Sequence, residues 1–211
     1  MKIGIIDYGM GNLFSVEQAV KRLGVDVVTS SDATELQMAD ALILPGVGAF
    51  EDAIKCLDRS GLCQLINDVA VSDKPLLGIC LGMQLLFESS EENGQHKGLG
   101  ILKGHIKKFS SIQYRIPHMG WNNLHFPQPE SWLTAAQKTD GHVYFVHSYY
   151  ASQYDEQQLS AYAQYADQVV PAIVHKDNVT GMQFHPEKSG ECGMALLEGW
   201  LNTVQVKEQT T

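Results

Sequence analysis

The stretch PLLGICLGMQLLF, residues 75–87, is an uncharged apolar run that contains a single thiol, Cys80. Gly78 stands two positions before this cysteine and Gly82 two positions after it. The pattern G-x-C-x-G at the end of a strand is typical of a nucleophile elbow, a strained turn that lifts its central side chain above the sheet. The N-terminus of the helix that follows would favour a thiolate. A small buried cysteine between tightly packed glycines explains the pattern equally well.

Toward the N-terminus, apolar segments alternate between the strand and the helix pattern. Helices are predicted over 13–24, with Asn12 as N-cap and Gly24 as C-cap, and over 50–61 and 62–70. Strands are predicted over 2–7, 25–28, 41–44 and 75–79. Strands that alternate with helices predict a mostly parallel sheet covered on both faces.

From about Gly94 the pattern changes to closely spaced strands. These strands are predicted over 100–109, 142–151, 159–166, 169–176 and 179–186, with a hairpin turn at 176–178. A helix over 193–204 follows. We therefore predict one α/β domain over 1–204, in which antiparallel strands are added to the parallel sheet, and a polar C-terminal tail over 205–211.

Composition excludes several classes of partner. The 15 Lys and Arg against 24 Asp and Glu give a net charge of −9, and no basic cluster is longer than Lys107-Lys108, so nucleic acid is not an expected partner. The run 75–87 is too short to cross a bilayer, and the N-terminal apolar stretch is too short for a signal peptide. The four cysteines show no C-x-x-C spacing. No metal, cofactor or membrane contact is therefore expected, and the thiols indicate a reducing, cytoplasmic location.

A nucleophilic cysteine needs a proton partner, and the segment QFHPEKS (183–189) contains one. His185 and Glu187 are two positions apart around Pro186, which is expected to hold the segment extended and both side chains on one side. The carboxylate would then orient the imidazole. A lone H-P-E triplet is weak, but together with an elbow cysteine it indicates a catalytic triad.

An acyl-transfer intermediate also needs hydrogen-bond donors for its oxyanion. The backbone N–H of Leu81, directly after the cysteine, is one candidate. The PGVG turn (45–48) ends the neighbouring strand at the same edge of the sheet, where ligands bind in such folds, and its Val47 N–H is a second. A plain turn is the simpler interpretation of PGVG.

The motifs PGVGAF, GICLGMQLLF and QFHPEKS, in this order, resemble those of the class I glutamine amidotransferases over nearly the whole chain. DYGMGNL, PHMGWN (117–122) and YFVHSYY (144–150) are similar, within that family, to the glutaminase subunits of imidazole glycerol phosphate synthase. The PGVG turn also follows those subunits, where most other members have a PGGP-like turn. The resemblance implies a three-layer, flavodoxin-like fold and a triad of Cys80, His185 and Glu187.

The resemblance also implies the reaction and its partner. Glutamine would be hydrolysed through a Cys80 thioester, and ammonia would pass to a cyclase subunit with a (β/α)8 barrel in a heterodimer of histidine biosynthesis. Residues that would hold glutamine are Gly48, Gln84, Glu92, Ser148 and Tyr149. Residues that would lie toward the cyclase are Asn12, Trp121, Tyr144 and Lys188. Each has a simpler alternative: a helix cap for Asn12, core packing for the two aromatic residues and solvation for the lysine.

In this family the partner activates the glutaminase. We hypothesise that the resting peptide between Gly46 and Val47 points its carbonyl at the oxyanion position and that activation turns the Val47 N–H inward.

Four alternatives are weaker. PfpI-type cysteine hydrolases carry histidine directly after the cysteine, where this chain has Leu81. Nucleotide binding by GMGNLF (9–14) would need glycine at Phe14. The glutaminase of another class I amidotransferase, or a non-catalytic regulatory subunit of the same fold, stays open, although a complete triad disfavours the latter.

Overall fold

The computed structural model of the protein describes residues 1–110, 114–127 and 130–208. Its α-helices are α1 (Leu13–Arg22), α2 (Ala33–Gln37), α3 (Phe50–Ser60), α4 (Leu62–Ala70), α5 (Leu81–Leu85) and α6 (Gly190–Glu208). Its first strands are β1 (Lys2–Ile6), β2 (Asp26–Ser30), β3 (Ala41–Leu44), β4 (Leu76–Ile79), β5 (Phe87–Ser90), β6 (His96–Lys97) and β7 (Leu102–Lys108). The later strands are β8 (His118–Asn123), β9 (His142–His147), β10 (Tyr149–Ser152), β11 (Leu159–Tyr165), β12 (Gln168–Lys176) and β13 (Val179–Met182).

The central sheet has seven strands in the order β11-β12-β13-β4-β3-β1-β2. Strands β2, β1, β3, β4 and β13 are parallel to one another, and β12 and β11 are added antiparallel. The order β2-β1-β3-β4 is that of flavodoxin-like folds. The predicted fold class, a mostly parallel sheet with added antiparallel strands, is confirmed.

Helices cover both faces of this sheet because its inner strands are apolar on both sides. Ile43 of β3 packs with α1 and α6 on one face, and Leu42 and Leu44 pack with α3 and α4 on the other. All four residues of β3 and of β4 are buried. Continuous apolar strands are what a parallel sheet between two helical layers requires.

The second half of the chain forms further sheets that the strand pattern did not separate. The predicted strand 142–151 breaks at Ser148 into β9, which pairs with β8, and β10, which joins β7, β5 and β6 in a four-stranded sheet. The corner at Ser148 therefore lies where the chain passes from one small sheet to the other.

Several boundaries differ from the sequence prediction. Helix α6 begins three residues earlier than 193 and includes residues 205–208 of the predicted tail, while 209–211 lie outside the described residues. Asn12 is the N-cap of α1 by position, but its side chain makes no capping hydrogen bond. Gly24 adopts a left-handed conformation (φ +78°) one residue beyond the C-cap Leu23. Within the described ranges, no helix is both long and apolar enough to span a membrane.

Candidate active site

Cys80 lies at the carboxyl end of β4, in a backbone conformation that a side chain rarely adopts (φ 55°, ψ −112°). Its N–H donates to the carbonyl of Met182 at 2.7 Å, and its own carbonyl accepts from the Gln84 N–H at 3.2 Å. The neighbouring strand β13 and the first turn of α5 thus hold the strained residue from both sides. This is the turn that the G-x-C-x-G pattern predicts.

The two glycines are needed for close approach of the backbone, including their approach to each other, because a Cβ at Gly78 would lie 2.9 Å from the carbonyl carbon of Gly82. A Cβ at Gly82 would lie 1.9 Å from the carbonyl oxygen of Leu44, at the end of β3. A Cβ at Gly78 would lie 2.8 Å from the Cα of Met83 in α5. The elbow therefore packs between its own helix and the end of the adjacent strand.

His185 and Glu187 are joined by a hydrogen bond of 2.8 Å between Nδ1 and Oε1. The prediction that the segment between them is extended is wrong. The segment forms a 3₁₀ turn over Pro186–Lys188, with His185 as its N-cap. Across the start of this turn the two side chains meet in the hydrogen bond between Nδ1 and Oε1. Both side chains are buried, at 3% and 1% exposure.

Cys80 interacts with the His185 ring on its other side, and both residues line the same cavity. Burial by itself would lower the pKa of His185, but the hydrogen bonds and charges of Cys80 and Glu187 outweigh it and raise the pKa to about 9. Because Nδ1 faces Glu187, the other ring nitrogen is available to the sulfur. The three residues form a continuous row from thiol to carboxylate.

A cavity of about 320 Å³, within the range of small-molecule sites, opens beside this row. It brings together the nucleophile, the histidine, both predicted oxyanion residues and all five predicted substrate residues. Its lining consists of Val47, Gly48, Cys80, Leu81, Gln84, Glu92, Pro117, Val146, His147, Ser148, Tyr149 and His185.

Polar groups around the cavity are fixed by backbone contacts. Glu92 Oε2 accepts from the N–H of Phe50 at 2.7 Å, at the start of α3. Gln84 Nε2 donates to the carbonyl of Tyr149 at 3.0 Å and to Gln183 Oε1 at 2.9 Å. The cavity thus has a carboxylate at one place and amide groups at another.

The PGVG turn lies directly against the elbow. A Cβ at Gly46 would lie 2.7 Å from the Gly82 nitrogen, and Gly48 has φ +101°. The Tyr8 hydroxyl donates to the carbonyl of Pro45 at 2.9 Å, and burial raises the pKa of this phenol, which keeps it a donor. The start of the turn is therefore anchored, and the orientation of the Gly46–Val47 peptide stays a prediction.

The four residues predicted to face a partner lie on neighbouring elements. Trp121 and Tyr144 are paired across β8 and β9, with their ring centroids 6.0 Å apart, and Trp121 is 57% exposed. Lys188 is exposed in the 3₁₀ turn after Glu187, and this turn contacts both β9 and α1, before which Asn12 lies. The elements that carry these four residues are therefore neighbours, and the turn after His185 contacts two of them.

Sequence reasoning missed several residues of the site. Pro117, Val146 and His147 line the cavity, and the buried Ser189 hydroxyl joins the His185 carbonyl to the Tyr144 N–H. PHMGWN and YFVHSYY marked the first three only as parts of motifs. Nothing in the sequence indicated a role for Ser189 except its position two residues after Glu187. Among the residues with described positions, no group of three His, Cys, Asp or Glu is arranged to hold a metal.

Comparison with known proteins identifies the family of the chain. The family model for glutamine amidotransferase class-I matches residues 4–202. The imidazole glycerol phosphate synthase subunit HisH of Geobacillus kaustophilus (strain HTA426) is 52% identical over 204 residues, which cover 94% of this chain and 95% of the relative. The HisH subunit of Bacillus subtilis (strain 168) is 51% identical over 200 residues, covering 92% and 93%.

Solved structures support the fold. A glutamine amidotransferase crystal structure superposes with a TM-score of 0.74 at 20% identity, covering 96% of this chain and 98% of the other. The structure of PurLQS from Thermotoga maritima gives a TM-score of 0.73 at 21% identity, again over 96% and 98%. The chain belongs to the class I glutamine amidotransferases and, within them, to the family of HisH subunits of imidazole glycerol phosphate synthase.

Proposed function

We propose that the protein is the glutaminase subunit of an imidazole glycerol phosphate synthase, which hydrolyses glutamine to glutamate and supplies the ammonia to a cyclase. In the first step the Cys80 sulfur, with its proton on His185, adds to the side-chain amide carbon of glutamine. The carbonyl oxygen becomes an oxyanion, and the N–H groups of Leu81 and Val47 are the proposed donors to it.

His185 then gives its proton to the amide nitrogen. The C–N bond breaks, ammonia leaves, and a thioester between Cys80 and the glutamyl group remains. A water molecule attacks this thioester and transfers a proton to the now neutral His185. The C–S bond breaks, glutamate leaves, and the sulfur and the protonated histidine are restored. Glu187 keeps the imidazole oriented and stabilises its charge in both steps.

One observation carries this proposal. The cavity that Cys80 and His185 line is also lined by Glu92, which carries a carboxylate, and by Gln84, which carries an amide, and these groups support it as the glutamine site. A carboxylate suits the α-ammonium group of glutamine, and amide and hydroxyl groups suit its carboxylate. Gly48, Ser148 and Tyr149 complete the proposed contacts.

We also propose that the acceptor of the ammonia is a cyclase subunit with a (β/α)8 barrel, bound as a heterodimer. The relatives are named subunits of a synthase, which supports a partner. The face formed by Asn12, Trp121, Tyr144 and Lys188 is the proposed contact, because it adjoins His185 and exposes a large aromatic side chain. A cytoplasmic location fits the free thiols of Cys56, Cys63, Cys80 and Cys192.

The test is Cys80→Ala in the complex with the cyclase. We expect glutamine-dependent cyclase activity to fall by roughly 10³-fold or more, since the nucleophile is lost, while the reaction with added ammonium is unchanged. Cys192→Ala is the matched control, because Cys192 is also buried but lies outside the cavity. Loss of both activities in Cys80→Ala would show that Cys80 maintains the structure and would contradict the proposal.

A further inference from the structure

Two buried histidines have no part in the proposed reaction. His118 of β8 and His147 of β9 lie opposite each other in register and are 2% and 7% exposed. Their rings are joined by a contact of 3.0 Å between His118 Nδ1 and His147 Nε2. His147 also lines the cavity beside Cys80. The burial of two polar imidazoles at the wall of this cavity needs an explanation.

The backbone decides which nitrogen of each ring carries hydrogen. His147 Nδ1 lies 2.7 Å from the carbonyl oxygen of Tyr149, which can only accept, so Nδ1 is the protonated nitrogen. In a neutral ring Nε2 is then an acceptor, and the proton in the contact between the rings belongs to His118 Nδ1. His118 is therefore also the Nδ1–H tautomer, and its Nε2 accepts.

Asn122 supplies the donor at the far end. Its Nδ2 lies 3.3 Å from His118 Nε2 and donates to the carbonyl of Gln164 at 3.0 Å. Its Oδ1 accepts from the N–H of Asn123 at 2.8 Å, so the orientation of the amide is determined by backbone groups. The row thus runs in one direction, from the Asn122 amide through His118 and His147 to the Tyr149 carbonyl.

The surroundings keep both rings neutral. The His118 ring stacks on Tyr165 at a centroid distance of 3.9 Å and on Phe145 at 4.5 Å. Burial lowers the pKa of His118 to about 4. Burial first, and then the charges of His118 and His185, lower the pKa of His147 to about 3, against the opposing hydrogen bond to Tyr149. A proton on either ring would also place two N–H groups face to face.

The row ends on the part of the backbone that contacts the substrate in the proposed function. The Tyr149 carbonyl accepts from His147 and also from Gln84 Nε2 at 3.0 Å. Ser148, between His147 and Tyr149, is the corner where the chain leaves β9 for β10, and its carbonyl accepts from the Phe109 N–H at 3.1 Å. The corner is held at two successive carbonyls.

We propose that His118 and His147 are positioning residues for the glutamine site, which as neutral Nδ1–H imidazoles hold the Tyr149 carbonyl and with it the Ser148–Tyr149 corner. The proposal deepens the glutaminase function and rests on it. Neither histidine transfers a proton to substrate; each acts through the next group in the row. Loss of the row should therefore weaken glutamine binding more than it slows the chemical step.

The kinetic test is His147→Phe in the complex with the cyclase. We expect the KM for glutamine to rise roughly three- to tenfold, the effect of losing one hydrogen bond, with a smaller change in kcat. A purely structural role would lower the active fraction, and hence kcat, at constant KM. His147→Asn, whose amide can still donate to the Tyr149 carbonyl, should have a KM between wild type and His147→Phe. His142→Phe, on the same strand with its side chain 47% exposed, is the matched control.

A second measurement needs no substitution and holds even if His147→Phe does not fold. In the NMR spectrum of the labelled full chain, both imidazoles should carry hydrogen on Nδ1 alone between pH 5.5 and 8, as chemical shifts of the two nitrogens report. A protonated Nε2 on either ring, or an unchanged KM in His147→Phe, would overturn the positioning role. Absence of glutamine-dependent activity in the wild-type complex would instead overturn the proposed function, and the tautomers would not be affected.

Discussion

At the scale of single residues, the site depends on side chains held in unfavourable states by their neighbours. Cys80 has a positive φ, a conformation that costs about 1–3 kcal/mol in a residue with a side chain. His185 is buried yet has a raised pKa, because Cys80 and Glu187 offset the cost of burial. Both features place reacting atoms at the cavity wall in the state that the proposed reaction requires.

The raised pKa of His185 predicts how activity depends on pH. In the proposed reaction His185 must be protonated to release ammonia, so kcat/KM for glutamine should fall as pH rises through about 9. Glu187→Gln removes a charge that favours the protonated ring, and we expect it to move this decline to lower pH. The measurement is the pH profile of the wild-type and Glu187→Gln complexes. A decline at the same pH in both would contradict the assigned role of Glu187.

Ser189 should position His185 through the backbone. Its buried hydroxyl donates to the His185 carbonyl at 2.6 Å and accepts from the Tyr144 N–H at 2.9 Å. Ser189→Ala should lower the free energy of unfolding by about 1–3 kcal/mol and also lower kcat, since two backbone groups lose their partner. Urea denaturation and steady-state kinetics test this. Ser72→Ala, an exposed serine outside the cavity, should change neither by as much; equal effects would argue against a positioning role.

At the scale of elements, two glycine-containing turns at the carboxyl ends of β3 and β4 are packed against each other. Gly82 approaches the end of β3, and Gly46 approaches the first turn of α5. Neither turn could shift without moving the other. This packing therefore fixes the position of the Cys80 sulfur relative to the proposed oxyanion donors.

This packing predicts an asymmetric response to two glycine substitutions. Gly82→Ala should destabilise the protein by about 3 kcal/mol or more, because its Cβ would lie 1.9 Å from a backbone oxygen. Gly24→Ala is the control. Its Cβ would meet no atom within 4 Å, so only the strain of φ +78° remains, about 1–2 kcal/mol. Free energies of unfolding in urea compare the two; a Gly82→Ala protein as stable as Gly24→Ala would refute the close packing.

At the scale of the whole molecule, the cavity and the proposed partner face lie at one edge of the sheet, where the parallel strands end. Besides Trp121, Phe14 at the start of α1 (73%) and Met119 of β8 (60%) are large exposed apolar side chains. Exposed apolar side chains of this size near an active site are typical of an interaction surface. The proposed cyclase would thus bind next to the place where ammonia is released.

Trp121 is therefore predicted to contribute strongly to subunit association. Trp121→Ala should raise the Kd for the cyclase by roughly 30-fold or more, since buried tryptophans commonly contribute 2 kcal/mol or more to an interface. Val71→Ala is the matched control, because Val71 is 88% exposed but lies after α4, at the opposite edge of the sheet. Isothermal titration calorimetry gives both constants. A Kd for Trp121→Ala equal to that of the control would place the interface elsewhere.

Much of the fold follows from local sequence. Strand β3 was predicted with its observed bounds and α3 to within one residue, because a continuous apolar run and an amphipathic period are strong local signals. Helix α2 and strands β5, β6 and β8 were missed. They are short or polar and exist through their pairing partners, as in the two residues of β6 against β5. The 3₁₀ turn after His185 was missed because Pro186 suits an extended segment as well.

Cys80, His185 and Glu187 could be proposed as nucleophile, histidine and carboxylate from motifs, because an elbow and an H-P-E triplet are local patterns. The closeness of residues 80 and 185 and the cavity around them depend on the pairing of β4 with β13. The contact between His118 and His147 depends on the pairing of β8 with β9. Pairing between strands distant in the chain is decided by the packing of the entire core. A single histidine in an apolar strand therefore gives no indication of its partner until that packing has set the register.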